Sequence, residues 1–137
     1  MRLAARFADE FNLTGSDPAR AAAKFARLDE ACRSIGRDPK TLARSAMMTT
    51  MIGADHRTVE ARVGALMERV GLDASGADAD EWLAVRQPRW IHGTFDEARA
   101  TVRRYADAGV ERIMLQDMLP WDLEMIRDMG RELVGRV

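Results

Sequence analysis

Residues 90–117, WIHGTFDEARATVRRYADAGVERIMLQD, constrain the fold more than any other stretch, because they join a doubly capped helix to an apolar strand through one glycine. Thr94 and Glu97 lie three apart, the spacing at which each side chain satisfies the other's free backbone amide in a capping box. Ala98, Val102 and Tyr105 recur at helical spacing and give that helix one apolar stripe. Gly109 falls where the helix end needs a positive φ, which glycine tolerates. Residues 110–115 are mostly apolar and predict a strand buried on both faces, and Gln116 and Asp117 turn it polar at its C-terminal end. A helix that delivers such a strand is half of a βαβ unit.

The rest of the chain repeats the alternation. Residues 2–8 read as the end of a helix, and residues 9–13 as a short strand. Asp17-Pro18 opens a helix, with Asp as cap and Pro where its missing N–H costs nothing. Ala22, Phe25, Leu28, Cys32 and Ile35 form its apolar stripe. Residues 43–52, ARSAMMTTMI, hold no Gly or Pro between Pro39 and Gly53. Ala and Met would suit a helix, but the Thr pair and short length favour a strand covered on both sides. Asp55 caps a further helix, with Val59, Val63, Leu66 and Val70 facing inwards. Residues 72–80, LDASGADAD, read as a loose surface insertion. A helical turn or two at 81–87 stops at Pro88. Pro120 opens a final helix with Leu123, Ile126, Gly130 and Leu133 aligned, Gly130 allowing close approach to a neighbour. Strands alternating with helices predict an α/β chain with a parallel sheet.

Composition closes off several classes. With 21 basic and 22 acidic residues, interleaved, there is no basic patch for nucleic acid. No apolar run reaches the length of a membrane span, and MRLAARFADEF lacks a signal peptide's apolar core, so a cytoplasmic protein is expected. Cys32 is the single cysteine and reads as a packed thiol. His56 and His92 lie far apart and no cluster has metal spacing, so no metal site is expected. G-x-S-x-G, G-x-G-x-x-G and P-loop motifs are all missing, which removes hydrolase and nucleotide-fold readings.

Four segments in order, ARFADEFNL, AAAKFARLDEACRSIGRDP, the G-T-x-x-E of residues 93–97, and YADAGVERIMLQ with its terminal helix, resemble the C-terminal part of the luciferase-like monooxygenase superfamily. Within it the chain is most similar to oxidoreductases that use the deazaflavin coenzyme F-420. The resemblance implies the C-terminal portion of a (β/α)8 TIM barrel, with strands at 9–13, 43–52 and 110–116, one partial domain over residues 1–137. It implies hydride transfer to or from F-420, with FMN as the alternative, and a small-molecule substrate. Most contacts to the ring in that family lie on earlier strands, so the chain is expected to be inactive alone. Met47, Thr49, Met51 and Met114 would face an open barrel interior, inviting a second copy or a complementing chain. The rival is a non-enzymatic α/β remnant or binding module acting through a partner.

Chemistry in such barrels sits at the C-terminal ends of strands. That rule selects Glu10 and Asn12 beside Asp9, then Met51 and Gly53, then Gln116 and Asp117 as candidate cofactor or substrate contacts. The bland alternative is that these groups cap loops and pair with arginines. His92, Gly93 and Thr94 form a second candidate, since a helix N-terminus offers free N–H groups to an anion. Against it, the capping box consumes those donors and Glu97 repels an anion. Trp82, Trp90 and Trp121 read as covers over apolar surface. No catalytic residue is assigned.

Overall fold

The computed structural model describes residues 1–136, with Ala77 as backbone. In chain order the elements are α1 (Arg2–Phe7), β1 (Glu10–Thr14), α2 (Pro18–Arg33), β2 (Ala43–Gly53), α3 (His56–Arg69), α4 (Ala77–Arg86), β3 (Ile91–Thr94), α5 (Phe95–Asp107), β4 (Arg112–Gln116) and α6 (Leu123–Glu132). The four strands form one parallel sheet that is open and not closed into a barrel. Long β2 is its spine. Residues 43–47 pair with β1 and residues 45–49 with β4, while residues 50–53 pair with β3.

The caps read from sequence are in place. Asp17 accepts the amide of Arg20 at 2.8 Å and Asp55 that of Thr58 at 2.8 Å. Glu97 Oε2 accepts from Thr94 N at 2.7 Å, within a complete capping box at the start of α5. Leu13, Ala46, Met48 and Ile52 bury one side of the sheet beneath helical residues such as Phe25, Leu28, Val59 and Leu66. Each such large apolar side chain contributes about 1.5–3 kcal/mol by leaving water.

Several expectations are corrected. Residues 91–94 form a fourth strand, four residues long and interrupted by a glycine, too short and irregular to read from periodicity. The stretch 72–80 is not loop throughout: α4 begins at Ala77, and Ala79 is buried. β4 is not buried on both faces. It pairs with β2 alone, and Met114 is 37% exposed. The last helix begins after Asp122, which caps it by accepting Met125 N at 2.8 Å. That shifts its buried face to Met125, Asp128, Met129 and Leu133, leaving Leu123 and Ile126 exposed. A Cβ added at Gly130 would meet nothing within 4 Å among the described residues. Ala22, Ile35 and Val70 also lie on exposed turns, because Ala21 takes the inward place and Ile35 and Val70 fall beyond the last turns of their helices.

Tyr105 ties α5 to the loop after β1 by donating its hydroxyl to the carbonyl of Ser16 at 2.8 Å. Burial, with the nearby charge of Asp17, pushes its phenol up to about 12. Above pH 10 the unfolded chain releases this proton and the native state keeps it, so stability falls as pH rises. The expected loss is about 2 kcal/mol between pH 9 and pH 12. Tyr105 is the single tyrosine, so Tyr105→Phe should remove that share of the alkaline slope while costing about 1 kcal/mol at neutral pH. Urea denaturation across that pH range reads both effects.

Candidate functional site

Strand register places the polar residues. In β1, β2 and β4 every second residue shares one face, and pairing stacks these into layers. Asn12, Ser45 and Arg112 form one layer, Thr14, Met47 and Met114 the next, and Thr49 and Gln116 the last. Asn12 Nδ2 donates to Ser45 Oγ at 2.8 Å and lies 3.9 Å from the sulfur of Met114. At the C-terminal ends Thr49 Oγ1 donates to Gln116 Oε1 at 3.3 Å. The amide nitrogen of Gln116 finds no partner among the described residues.

Above this last layer lies a concavity of about 270 Å³. Thr14, Met47, Thr49 and Gln116 line it from the sheet, and Trp82, Arg86, Arg89, Trp90 and Met118 from the segments around it. The Trp82 and Trp90 rings meet edge to face, 5.6 Å between centroids and 73° between planes. The Arg86 guanidinium lies over the Trp82 ring at 4.4 Å.

The predicted site residues divide. Gln116 is in this concavity, and Asn12 lies two layers below it on the same face. Glu10 is elsewhere: it opens β1 rather than ending it, at the N-terminal side of the sheet. There it pairs with Arg112, whose hydrogen bond, with that of Ser45, holds the Glu10 carboxyl below its usual range. Glu10 stands near the start of the strand read at 9–13, so the rule of C-terminal strand ends does not apply to it; it lies at the end of the sheet where barrel enzymes keep structure rather than chemistry. Asp117 Oδ1 accepts Leu119 N at 2.7 Å and so shapes the turn after β4. Met51, expected to face an open interior, is fully buried, because β2 beyond Thr49 is flanked by β3 and packed by α3.

His92, Gly93 and Thr94 stand apart, on β3 and at the start of α5. His92 lines crevices between the helices with His56, Gln87 and Glu97, away from Gln116. Its Nδ1 lies 3.0 Å from Gln87 Nε2, and an amide nitrogen only donates, so the ring proton sits on Nε2. Burial holds His92 below its ordinary value despite the raising effect of Glu97. The ring is therefore neutral at pH 7. Glu97 is itself lowered by the Thr94 amide and hydroxyl. His56 is exposed, with Nε2 3.8 Å from Glu97. The α5 N-terminus is thus occupied by its own carboxylate, as the capping box implied. No group of three metal-ligating side chains occurs among the described residues, and none of their helices is long and apolar enough to cross a membrane.

Sequence reasoning placed Thr49 on the interior face without a chemical role, missed Arg86 and Arg89, and read Trp82 and Trp90 chiefly as covers, with stacking on a cofactor left open for one tryptophan. A signal was present in RQPRW at 86–90: Arg86 has Trp82 rather than an acid four residues before it, so neither arginine has a helical partner. Trp121 does not cover the core; it is 61% exposed beneath the Arg69 guanidinium.

No family model and no curated protein matches the chain. Solved structures do. The coenzyme F-420-dependent tetrahydromethanopterin reductase from Methanopyrus kandleri superposes with a TM-score of 0.68 at 17% identity, covering 97% of this chain and 46% of that one. A monooxygenase from Streptomyces bottropensis gives 0.69 at 17% identity over 97% and 43%. An F-420-dependent secondary alcohol dehydrogenase gives 0.70 at 13% identity over 97% and 44%. The chain spans less than half the length of these structures. At such identities the likeness is one of fold: the chain has the α/β fold of a part of these enzymes, an open parallel sheet with flanking helices that matches a partial barrel.

Proposed function

We propose that this chain forms the C-terminal part of a flavin- or deazaflavin-dependent oxidoreductase of the luciferase-like superfamily, acting on a small-molecule substrate. The observation that carries this reading is the layered face of β1, β2 and β4, which ends in Thr49, Gln116 and an aromatic-lined concavity at the strands' C-terminal ends. That is where barrel enzymes place their chemistry, and the solved structures of this fold include enzymes named for F-420 and monooxygenases. At about 270 Å³ the concavity falls below the roughly 300–1,000 Å³ of a whole small-molecule site, which suits one wall of a larger one. Coenzyme F-420 is the preferred cofactor and FMN the alternative; such a ring, when bound, supplies hydride transfer.

The chain's own residues orient and exclude. The free amide nitrogen of Gln116 donates to a ring or substrate edge, its oxygen being fixed by Thr49. Met47, Met118 and Trp90 keep water from that edge. The outer edges of β1 and β4 carry no partner strand among the described residues. In this reading they pair with further strands, on the same chain or on a complementing one.

Titration of the purified protein with F-420 and with FMN, followed by cofactor absorbance and by melting temperature, tests the reading. Saturable binding of either with a raised Tm is expected. A folded, monodisperse sample that neither cofactor perturbs would favour the remnant instead.

A further inference from the structure

We propose that the concavity between Trp82, Trp90 and Gln116 is a binding site for a small planar aromatic acid of one or two rings. Its charge carries the argument. The lining includes Arg86 and Arg89 and no carboxylate, whereas four other crevices of comparable size each have at least one acid in the wall. This occurs in a chain whose acids outnumber its bases, 22 to 21. The shielded arginines are paired, Arg44 with Asp29 at 2.5 Å, Arg62 with Asp122 at 2.8 Å and Arg99 with Glu132 at 3.0 Å, whereas Arg86 and Arg89 line the concavity, Arg86 exposed and Arg89 half-buried. Among the described residues neither Arg86 nor Arg89 has a carboxylate within 4.0 Å. Two cations, one exposed and one half-buried, beside one concavity with no acid in its wall favour an anion there, and guanidinium groups suit a carboxylate in particular.

The remainder of the wall selects the body of the ligand. The perpendicular Trp82 and Trp90 rings, with the Arg86 guanidinium stacked on Trp82, make an aromatic wall beside the arginines. Met47 and Met118 add apolar, adaptable contact. A bare hydrated anion would leave these surfaces unmatched, and a neutral aromatic would leave the arginines so. The volume of about 270 Å³ admits one or two fused rings. The Gln116 amide nitrogen is available for one further hydrogen bond.

This site stands on its own residues and does not require the cofactor reading. The probe is 2-naphthoate, with neutral 2-naphthamide as its isostere, added to the protein without any flavin. Saturable naphthoate binding is expected, perturbing the indole N–H signals of Trp82 and Trp90 in NMR and sparing that of Trp121. The amide should bind at least about tenfold more weakly, and the Arg86→Gln/Arg89→Gln variant should weaken naphthoate by a similar factor. Equal binding of acid and amide by the unaltered protein would overturn the proposal, as would absence of saturable binding or an unchanged affinity in a folded double variant. Failure here with F-420 or FMN still binding leaves the proposed function intact, and the reverse result leaves this site intact.

Discussion

Arg62→Ala is expected to destabilise the protein by about 3–5 kcal/mol, the cost of stripping one partner from a buried ionic network. Arg62 is 6% exposed. Its Nη1 donates to the carbonyl of Ile52 at 2.5 Å and to Asp128 at 3.3 Å, and its Nε to Asp122 at 2.8 Å. One side chain on α3 thereby fixes the end of β2 and both the cap and the middle of α6. Without it the Ile52 carbonyl loses this donor, the buried Asp128 keeps only Arg131 at 3.0 Å, and Asp122 keeps only its cap. Burial pushes the Asp122 carboxyl up, but the Arg62 hydrogen bond and the Met125 amide outweigh it and hold the group below 3.8. A depressed carboxyl contributes stability above its unfolded value, and that contribution is lost as pH falls through the folded one. The acid limb of the stability profile should therefore flatten in Arg62→Ala. Arg62→Met combined with Asp122→Asn and Asp128→Asn removes all the charges and should recover at least half of the loss. Urea denaturation of the variants reads these differences, and a loss below 1 kcal/mol for Arg62→Ala would show the network to be solvated.

The same residue shows why the sequence is legible in part. Arg62 lies three after Val59 and four before Leu66, on the apolar stripe of α3, so a charge facing inwards was visible. Its partners were not, because Asp122 and Asp128 are sixty or more residues away. Alternation, caps and the parallel sheet followed from local rules that act within a few residues. What failed depended on placement in the whole fold. Glu10 was counted at a C-terminal strand end although it stands at the start of β1, and of the two apolar stripes on α6 the one with Met125 and Met129 packs inwards, not the one with Leu123 and Ile126. The concavity was illegible for a similar reason: Thr49 meets Gln116 only through the pairing of β2 with β4, and Trp82 meets Trp90 only after α4 folds back. Of the candidate site residues, Gln116 lines the concavity because it ends a strand, a property the local pattern shows.

Gly93→Ala should cost about 3 kcal/mol, and its cause separates a structural from a ligand-binding glycine. Gly93 has φ of +118°, a backbone conformation side chains rarely adopt, and that strain alone is worth about 1–3 kcal/mol. An added Cβ would also lie 2.5 Å from Glu97 Oε2 and 3.0 Å from Glu97 Cβ. The close approach that glycine permits is therefore already taken by the cap of α5, and displacing Glu97 forfeits its bonds to Thr94. Glu97→Ala by itself removes the cap without strain and should cost about 1 kcal/mol. In Gly93→Ala/Glu97→Ala the 2.5 Å collision with the carboxylate disappears, the tight 3.0 Å contact with Cβ remains, and the cap is lost only once, so the double variant should be destabilised by less than the sum of the singles. The strain at φ persists, keeping it less stable than Glu97→Ala. Denaturation midpoints of the three variants and the parent measure this coupling. Strict additivity would mean that Glu97 does not occupy the space beside Gly93, and would return that space to an incoming anion.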